Sequence, residues 1–230
     1  MSAVMPPKEY MVRRTRSAVE QTLDEWLVLV GLSVSNPDKF GIQKAFFRAE
    51  HALIERGIGS PSFKFFRWSY GPFSKDLAND VKALEARGIV SSAGYTHRLA
   101  DKGWKIVEHW QRHLAGASPA FDEAQAIVAR EARYCSSLTF AQLREVVYAM
   151  TVEAFDAPGE PRTIAEIEPP CDLFIPYMMN LTIPALPPNM IADLHADLTM
   201  TDDDLRDRDE FSAQTTAEAL RLLGTAATLQ

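Results

Sequence analysis

The chain predicts a mainly α-helical protein with a small β-hairpin, organised as a winged helix-turn-helix domain followed by a helical and Pro-rich irregular C-terminal region. Three observations carry this expectation. Apolar residues recur at three- and four-residue intervals over much of the chain, the signature of helices that bury one face. Between Phe63 and Leu99 an aromatic run, a Gly-Pro break, an amphipathic stretch and two short β-prone runs follow in winged-helix order. From Thr151 the texture changes, and 8 of the 14 prolines fall between Pro158 and Pro188.

The elements follow in order. Met1 to Arg16 is polar, carries Pro6-Pro7, and reads as a loose arm. Thr22 to Val34 spaces Leu23, Trp26, Leu27 and Val30 helically and ends before Asn36-Pro37. Phe40 to Arg56 is a second helix, with Ile42, Ala45, Phe46, Ala49, Leu53 and Ile54 inward and Gly57 beyond its end. Phe63, Phe65 and Trp68 make a strand whose alternation is imperfect because Phe66 is apolar as well. Gly71-Pro72 punctuates the chain, since Gly accepts unusual backbone angles and Pro fixes φ near the helical value.

A third helix begins there. Ser74 is its natural N-cap, and Asp76 lies in the first turn, where the helix dipole favours negative charge. Phe73, Leu77, Val81 and Leu84 form one apolar stripe, and Arg87-Gly88 closes the helix. Ile89-Val90, a Ser-Ser-Ala-Gly turn and Tyr95 to Leu99 form the hairpin, or wing. Asp101 to Leu114 is a fourth helix with Trp104, Val107 and Trp110 on one side. Pro119 to Tyr134 and Leu138 to Met150 are two more, the second with Leu138, Leu143, Val146, Val147 and Met150 on a broad apolar face. The prolines beyond Pro158 exclude long regular elements. CDLFIPYMMNLTIPALPPNM is nevertheless apolar, so it either wraps the protein's own core or offers an adhesive surface to a partner. Thr201 caps an acidic turn, and Ser212 to Leu223 reads as a last helix.

Charge divides the chain. Met1 to Ala115 holds 17 Lys and Arg against 12 Asp and Glu, a net of +5, whereas Gly116 to Gln230 holds 7 against 19, a net of −12. The step suggests a boundary near residue 116, giving a winged-helix domain with its arm over 1–116 and an acidic region over 117–230. The 2 cysteines, Cys135 and Cys171, show no ligand spacing and suit a reducing compartment. No apolar run reaches the roughly 20 residues that span a bilayer, and no apolar leader precedes a cleavage site, so a cytoplasmic protein without membrane contact is expected.

Chemistry is hard to build from these residues. There is no G-x-S-x-G elbow and no Walker loop, and Gly57-Ile58-Gly59 lacks the third glycine of a dinucleotide site. His109 and His113 have the i,i+4 spacing of a zinc pair, but no motif provides further ligands, and a solvated helix face is the simpler reading. Asp202-Asp203-Asp204 reads as the acidic first turn of a helix rather than a magnesium site. No catalytic, cofactor-binding or metal-binding residue is therefore assigned.

Binding is the better expectation. The polar residues of the third helix, Lys75, Asp76, Asn79, Asp80, Lys82, Glu85 and Arg87, balance 3 cations against 3 anions. A neutral helix supplies little phosphate affinity, although Asn79 suits an adenine edge. Arg13, Arg14, Arg16, Lys64, Arg67, His97 and Arg98 would add phosphate contacts if they converged. Tyr70 and Phe73 either brace the turn or, if exposed, anchor an interface. The expected contact set is Arg67, Trp68, Tyr70, Phe73, Lys75, Asn79, Lys82, His97 and Arg98.

IQKAFFRAE in the second helix, FRWSYGPFSKDLANDVKALEARGIV after it, YTHRLADKGW at the wing and the later LREVVYAMTVEAF together resemble the Panacea or SocA-like antitoxin group, with its YwgA-like winged-helix relatives. The resemblance covers residues 40 to 150. It implies an antitoxin or adaptor that binds a toxin, sometimes bringing it to a protease. Ala100 stands where the group's motif has Thr after the wing, removing a hydroxyl cap. The leading expectation is thus a non-catalytic interaction module that neutralises or presents a toxin-like protein, with the acidic half suited to a basic one. The alternative is a winged-helix DNA-binding regulator whose acidic half dimerises it or autoinhibits it.

Overall fold

The computed structural model describes residues 16–59, 63–154, 156–173 and 186–201. The expected Arg13-Arg14 arm, the expected acidic turn after Thr201 and the helix expected over Ser212 to Leu223 lie outside these residues. Among them the chain is mainly helical, with 7 helices and small antiparallel strand pairs.

Helix α1 (Ala18–Val34) occupies the centre. Its N-terminus is a reciprocal capping box: Ser17 Oγ accepts from Glu20 N–H at 3.2 Å, and Glu20 accepts from Ser17 N–H at 2.8 Å. Trp26 to Leu32 are all buried, because neighbours surround the helix rather than leaving it a wet face. Helix α2 (Lys39–Glu55) is capped by Asp38, which accepts from the Phe40 and Gly41 N–H groups. Both helices pack against α5 (Pro119–Ser136). Gly31 gives the Phe46 ring of α2 room against α1, since a Cβ there would stand 3.3 Å from it.

Strands β1 (Phe65–Trp68) and β2 (Gly71–Ser74) pair antiparallel, with Phe65 opposite Ser74 and Trp68 opposite Gly71. Phe65 meets Phe47 of α2 on one face, whereas Phe66 meets Trp68 and Phe73 on the other. Both faces are covered, which explains the imperfect alternation. Helix α3 (Lys75–Ala86) starts at Ser74, whose hydroxyl accepts from Leu77 N–H at 3.3 Å, and buries Leu77, Val81 and Leu84. Strands β3 (Val90–Ala93) and β4 (Thr96–Leu99) form the expected hairpin.

Helix α4 (Asp101–Leu114) begins at Ala100 without a side-chain cap. It buries Gly103, Ile106, Val107, Trp110 and Leu114. Trp104 is exposed, contrary to expectation, because it sits about 100° around the helix from Gly103. Gly103 is sterically required, since a Cβ would lie 2.3 Å from the Ile89 carbonyl oxygen. Helix α6 (Phe140–Tyr148) carries a second capping box, Thr139 with Gln142, and buries Leu143 and Val147.

The last third departs most from the expectation of an irregular region. Strands β5 (Thr151–Ala154) and β6 (Ala157–Thr163) pair, and β6 runs through Pro158 and Pro161. Proline survives there because a two-stranded sheet has only edge strands. Strand β7 (Cys171–Asp172) adds to the free side of β1, giving the order β2-β1-β7. Ile164, Ile167 and Leu173 are buried, so this part of the Pro-rich segment wraps the core; residues 174–185 lie outside the described set. Helix α7 (Pro188–Thr199), absent from the expectation, packs on α1 and α4, with Trp110 Nε1 donating to Asp197 at 2.8 Å. Residue 116 falls in the turn between α4 and α5, and one cluster of buried side chains draws on both sides of it.

Candidate functional site

The turn between β1 and β2 is held from behind by two polar residues of α2. Gln43 extends its amide along the outer edge of β2, donating to the Ser74 carbonyl at 3.1 Å and accepting from Ser74 N–H at 2.7 Å. It substitutes for a neighbouring strand. Lys44 reaches under the turn and donates to the Pro72 carbonyl at 2.6 Å. Gly71 has φ +94°, and a Cβ on it would approach the Tyr148 ring to 3.1 Å and Lys44 Nζ to 3.3 Å. Left-handed backbone and a crowded underside therefore both require glycine. The IQK and YGPFS segments are thus a single device: the first clamps the second.

Charge collects beneath this turn. Burial pushes the Lys44 ammonium down to about 7; the Arg67 guanidinium adds to the effect and Asp38 opposes it. Arg67 Nε donates to the Ile164 carbonyl at 3.0 Å, and a terminal nitrogen donates to the Trp68 carbonyl. Its guanidinium lies 4.7 Å from the Tyr148 ring centroid, and that of Arg144 lies 5.5 Å from the same ring. Tyr148 in turn donates its hydroxyl to the Ser69 carbonyl at 3.3 Å.

Above the turn stands an exposed aromatic cluster drawn from three elements. Phe40 at the start of α2, Tyr70 in the turn and Phe140 at the start of α6 are 42%, 45% and 55% exposed. The Phe40 ring meets Tyr70 edge-on at 5.9 Å and Phe140 at 6.1 Å. Lys39 and Arg144, both exposed, flank the cluster in sequence next to Phe40 and one turn beyond Phe140.

The expected contact residues divide. Tyr70, Lys82 and Arg98 are exposed; Trp68, Phe73, Lys75 and Asn79 are half-buried. Arg67 and His97 are corrections, because both are buried and engaged inside the fold. His97 Nδ1 sits 2.9 Å from Ser92 Oγ and 3.0 Å from Glu85, tying β4 to α3. The hairpin is tied down on its other edge too: Lys39 N–H donates to the Tyr95 carbonyl at 3.1 Å and His97 N–H to the Pro37 carbonyl at 2.9 Å.

The outward side of α3 is not electrically balanced, as the sequence suggested. Asp76 and Asp80 turn inward, and Arg16 bridges Asp80 at 2.5 Å and Asp24 at 2.7 Å. Arg16 is therefore a buried anchor rather than part of a loose arm. Arg87 is also spent, on Glu25 and on the Leu198 carbonyl, both at 2.8 Å. What remains outward is Lys75, Ala78, Asn79, Lys82 and Ala86, with Glu85 beside them part-exposed and paired to His97, so the stripe is basic by its two lysines. Lys64 lies at the surface, paired with Asp172 at 2.8 Å.

The sequence reading assigns no site role to Phe40, Gln43, Lys44, Phe140, Arg144 or Tyr148, although Gln43, Lys44, Arg144 and Tyr148 lie in the segments that carry the family resemblance. A signal existed for one pair: Gln43-Lys44 sits between Ile42 and Ala45 on the buried arc of α2. His109 and His113 stack at 4.1 Å, with His113 Nδ1 2.7 Å from the His109 carbonyl oxygen; among the described residues no His, Cys, Asp and Glu group has the form of a metal site. Nor, among them, is any helix long and apolar enough to cross a membrane. Comparison of the chain with family models, with curated proteins and with solved structures returned no match.

Proposed function

We propose that this chain is a non-catalytic interaction module that binds a partner protein through the Phe40–Tyr70–Phe140 face. The observation that carries the reading is the gathering of three exposed rings from segments far apart in sequence, Phe40 meeting both Tyr70 and Phe140, over a turn clamped by Gln43 and Lys44. Large aromatics on a pre-organised surface supply most of the affinity in protein interfaces. In this proposal α2, α3 and the β3–β4 hairpin form a winged helix-turn-helix used as a scaffold, and masking of a toxin-like partner follows the antitoxin-group resemblance. Cys135 is a free, buried thiol and Cys171 is buried as well, which supports a reducing, cytoplasmic setting. The test is affinity capture from the native host with wild type and with Tyr70→Ser/Phe140→Ser. A stoichiometric partner lost by the variant, with affinity reduced about 30-fold or more, is the expected result. Equal retention by both proteins contradicts the reading.

One observation favours a second reading, a winged-helix DNA-binding regulator: the inward turn of Asp76 and Asp80 leaves Lys75, Asn79 and Lys82 outward on α3, with Arg98 exposed on the hairpin. A duplex binder loses affinity with salt at a log–log slope of about −0.9 per phosphate contacted. Absence of duplex binding at low salt removes this reading.

A further inference from the structure

We infer that the aromatic face is built to receive an acidic, amphipathic segment of the partner protein, whose apolar side chain packs on Phe40, Tyr70 and Phe140 and whose carboxylates meet Arg144 and Lys39. This rests on the proposed interaction face and adds the chemistry of what occupies it.

The argument is one of charge left over. Over residues 38–44, 65–74 and 139–148 the charged side chains are Lys39, Lys44, Arg67 and Arg144 against the carboxylates Asp38 and Glu145, an excess of positive charge. Among the described residues none of the four is ion-paired with a carboxylate: Lys44 and Arg67 donate to backbone carbonyls, Arg67 and Arg144 lie over the Tyr148 ring, and Lys39 lies over the Tyr95 ring at 5.9 Å. Asp38, the carboxylate that acts on Lys44, has an oxygen committed to capping α2. Of the other described arginines, Arg16, Arg48, Arg56, Arg87, Arg130 and Arg162 each hold a carboxylate, and Arg98, Arg112 and Arg133, which do not, are all exposed, so Arg67 is the buried exception. The buried Arg67 guanidinium, with no carboxylate paired to it, raises the potential at the turn, and the exposed Arg144 at the rim extends it to solvent. A basic partner segment is repelled here. A neutral apolar one satisfies the rings but leaves the potential unmet, so a segment carrying carboxylates beside an aromatic or aliphatic anchor is the complementary form.

The test uses the full chain and two labelled peptides, one alternating Glu with Leu and Phe and the other alternating Lys with Leu and Phe, titrated by fluorescence anisotropy. Expected is saturable binding of the glutamate peptide about tenfold or more tighter than the lysine peptide, weakened about tenfold by Arg144→Glu and by added salt. Arg144 is exposed, so its reversal leaves the fold intact, which circular dichroism checks. Equal or tighter binding of the lysine peptide, indifference to Arg144→Glu, or no saturation of either up to about 1 mM overturns the assignment. Self-association abolished by Arg144→Glu overturns it as well, in favour of a second copy of the chain. If Tyr70→Ser weakens both peptides equally, the face stands and only its acidity preference fails. If neither peptide responds to Tyr70→Ser, the proposed interaction face itself fails.

Discussion

Replacing Lys44 by Met tests how the β1–β2 turn is held. Burial lowers the Lys44 ammonium from 10.5 to about 7 in the folded chain. The unfolded chain keeps the proton until the ordinary value, so between these limits it binds more protons than the folded one. Stability therefore rises with pH across that window: the cost of the buried charge is fully present below the folded value and gone above the unfolded one. The shift corresponds to about 5 kcal/mol in total, approached at about 1.4 kcal/mol per pH unit. Lys44 is only 6% exposed, so solvent screening offsets little of this. Cys135 acts in the opposite sense, since burial raises its thiol from 9.0 to about 12 and stability falls as pH climbs through that range. Urea unfolding between pH 7 and about pH 8.5 isolates the lysine, and wild type should gain about 1.5–2 kcal/mol there relative to Lys44→Met. Below pH 7 the variant should be the more stable protein, even after about 1–3 kcal/mol lost by leaving the Pro72 carbonyl without a donor. Parallel pH profiles for the two proteins would refute the buried, turn-bound lysine.

Arg16→Met removes the guanidinium that bridges Asp80 and Asp24, both almost fully buried, and should cost about 3–5 kcal/mol by urea unfolding; a change under about 1 kcal/mol contradicts an anchoring role. Gly103→Ala forces a Cβ to 2.3 Å from the Ile89 carbonyl and should destabilise by about 1–3 kcal/mol or more in thermal unfolding, where an unchanged midpoint refutes the packing. Gln43→Leu leaves the Ser74 peptide edge unpaired and should cost about 1–3 kcal/mol, with faster amide exchange at Ser74; unaltered exchange rules out the side-chain substitute for a strand.

What could be read from the sequence was local. The Ser74 cap, the Leu77-Val81-Leu84 stripe, the β3–β4 hairpin and the missing cap at Ala100 each depend on residues within a turn or two of one another. Long-range partners were invisible. Asp80 looked like a surface charge because its counter-ion, Arg16, lies 64 positions away. Strand β7 is 2 residues long, too short for any periodicity, and pairs with β1 across about a hundred residues. Helix α7 hid behind Pro187-Pro188, read as a break, although proline at the first helical position is favourable. Of the candidate site, Tyr70 was legible from its motif. Phe40 and Phe140 were not, since only the packing of α2 beside α6 brings them together.

Hydrogen–deuterium exchange on the chain alone and with its co-purified partner tests the interaction face most directly. Protection is expected over residues 38–44, 68–73 and 139–148 together, the three segments that meet at the Phe40–Tyr70–Phe140 rings. Protection confined to 75–86 and 90–99, with those three segments unchanged, would contradict it.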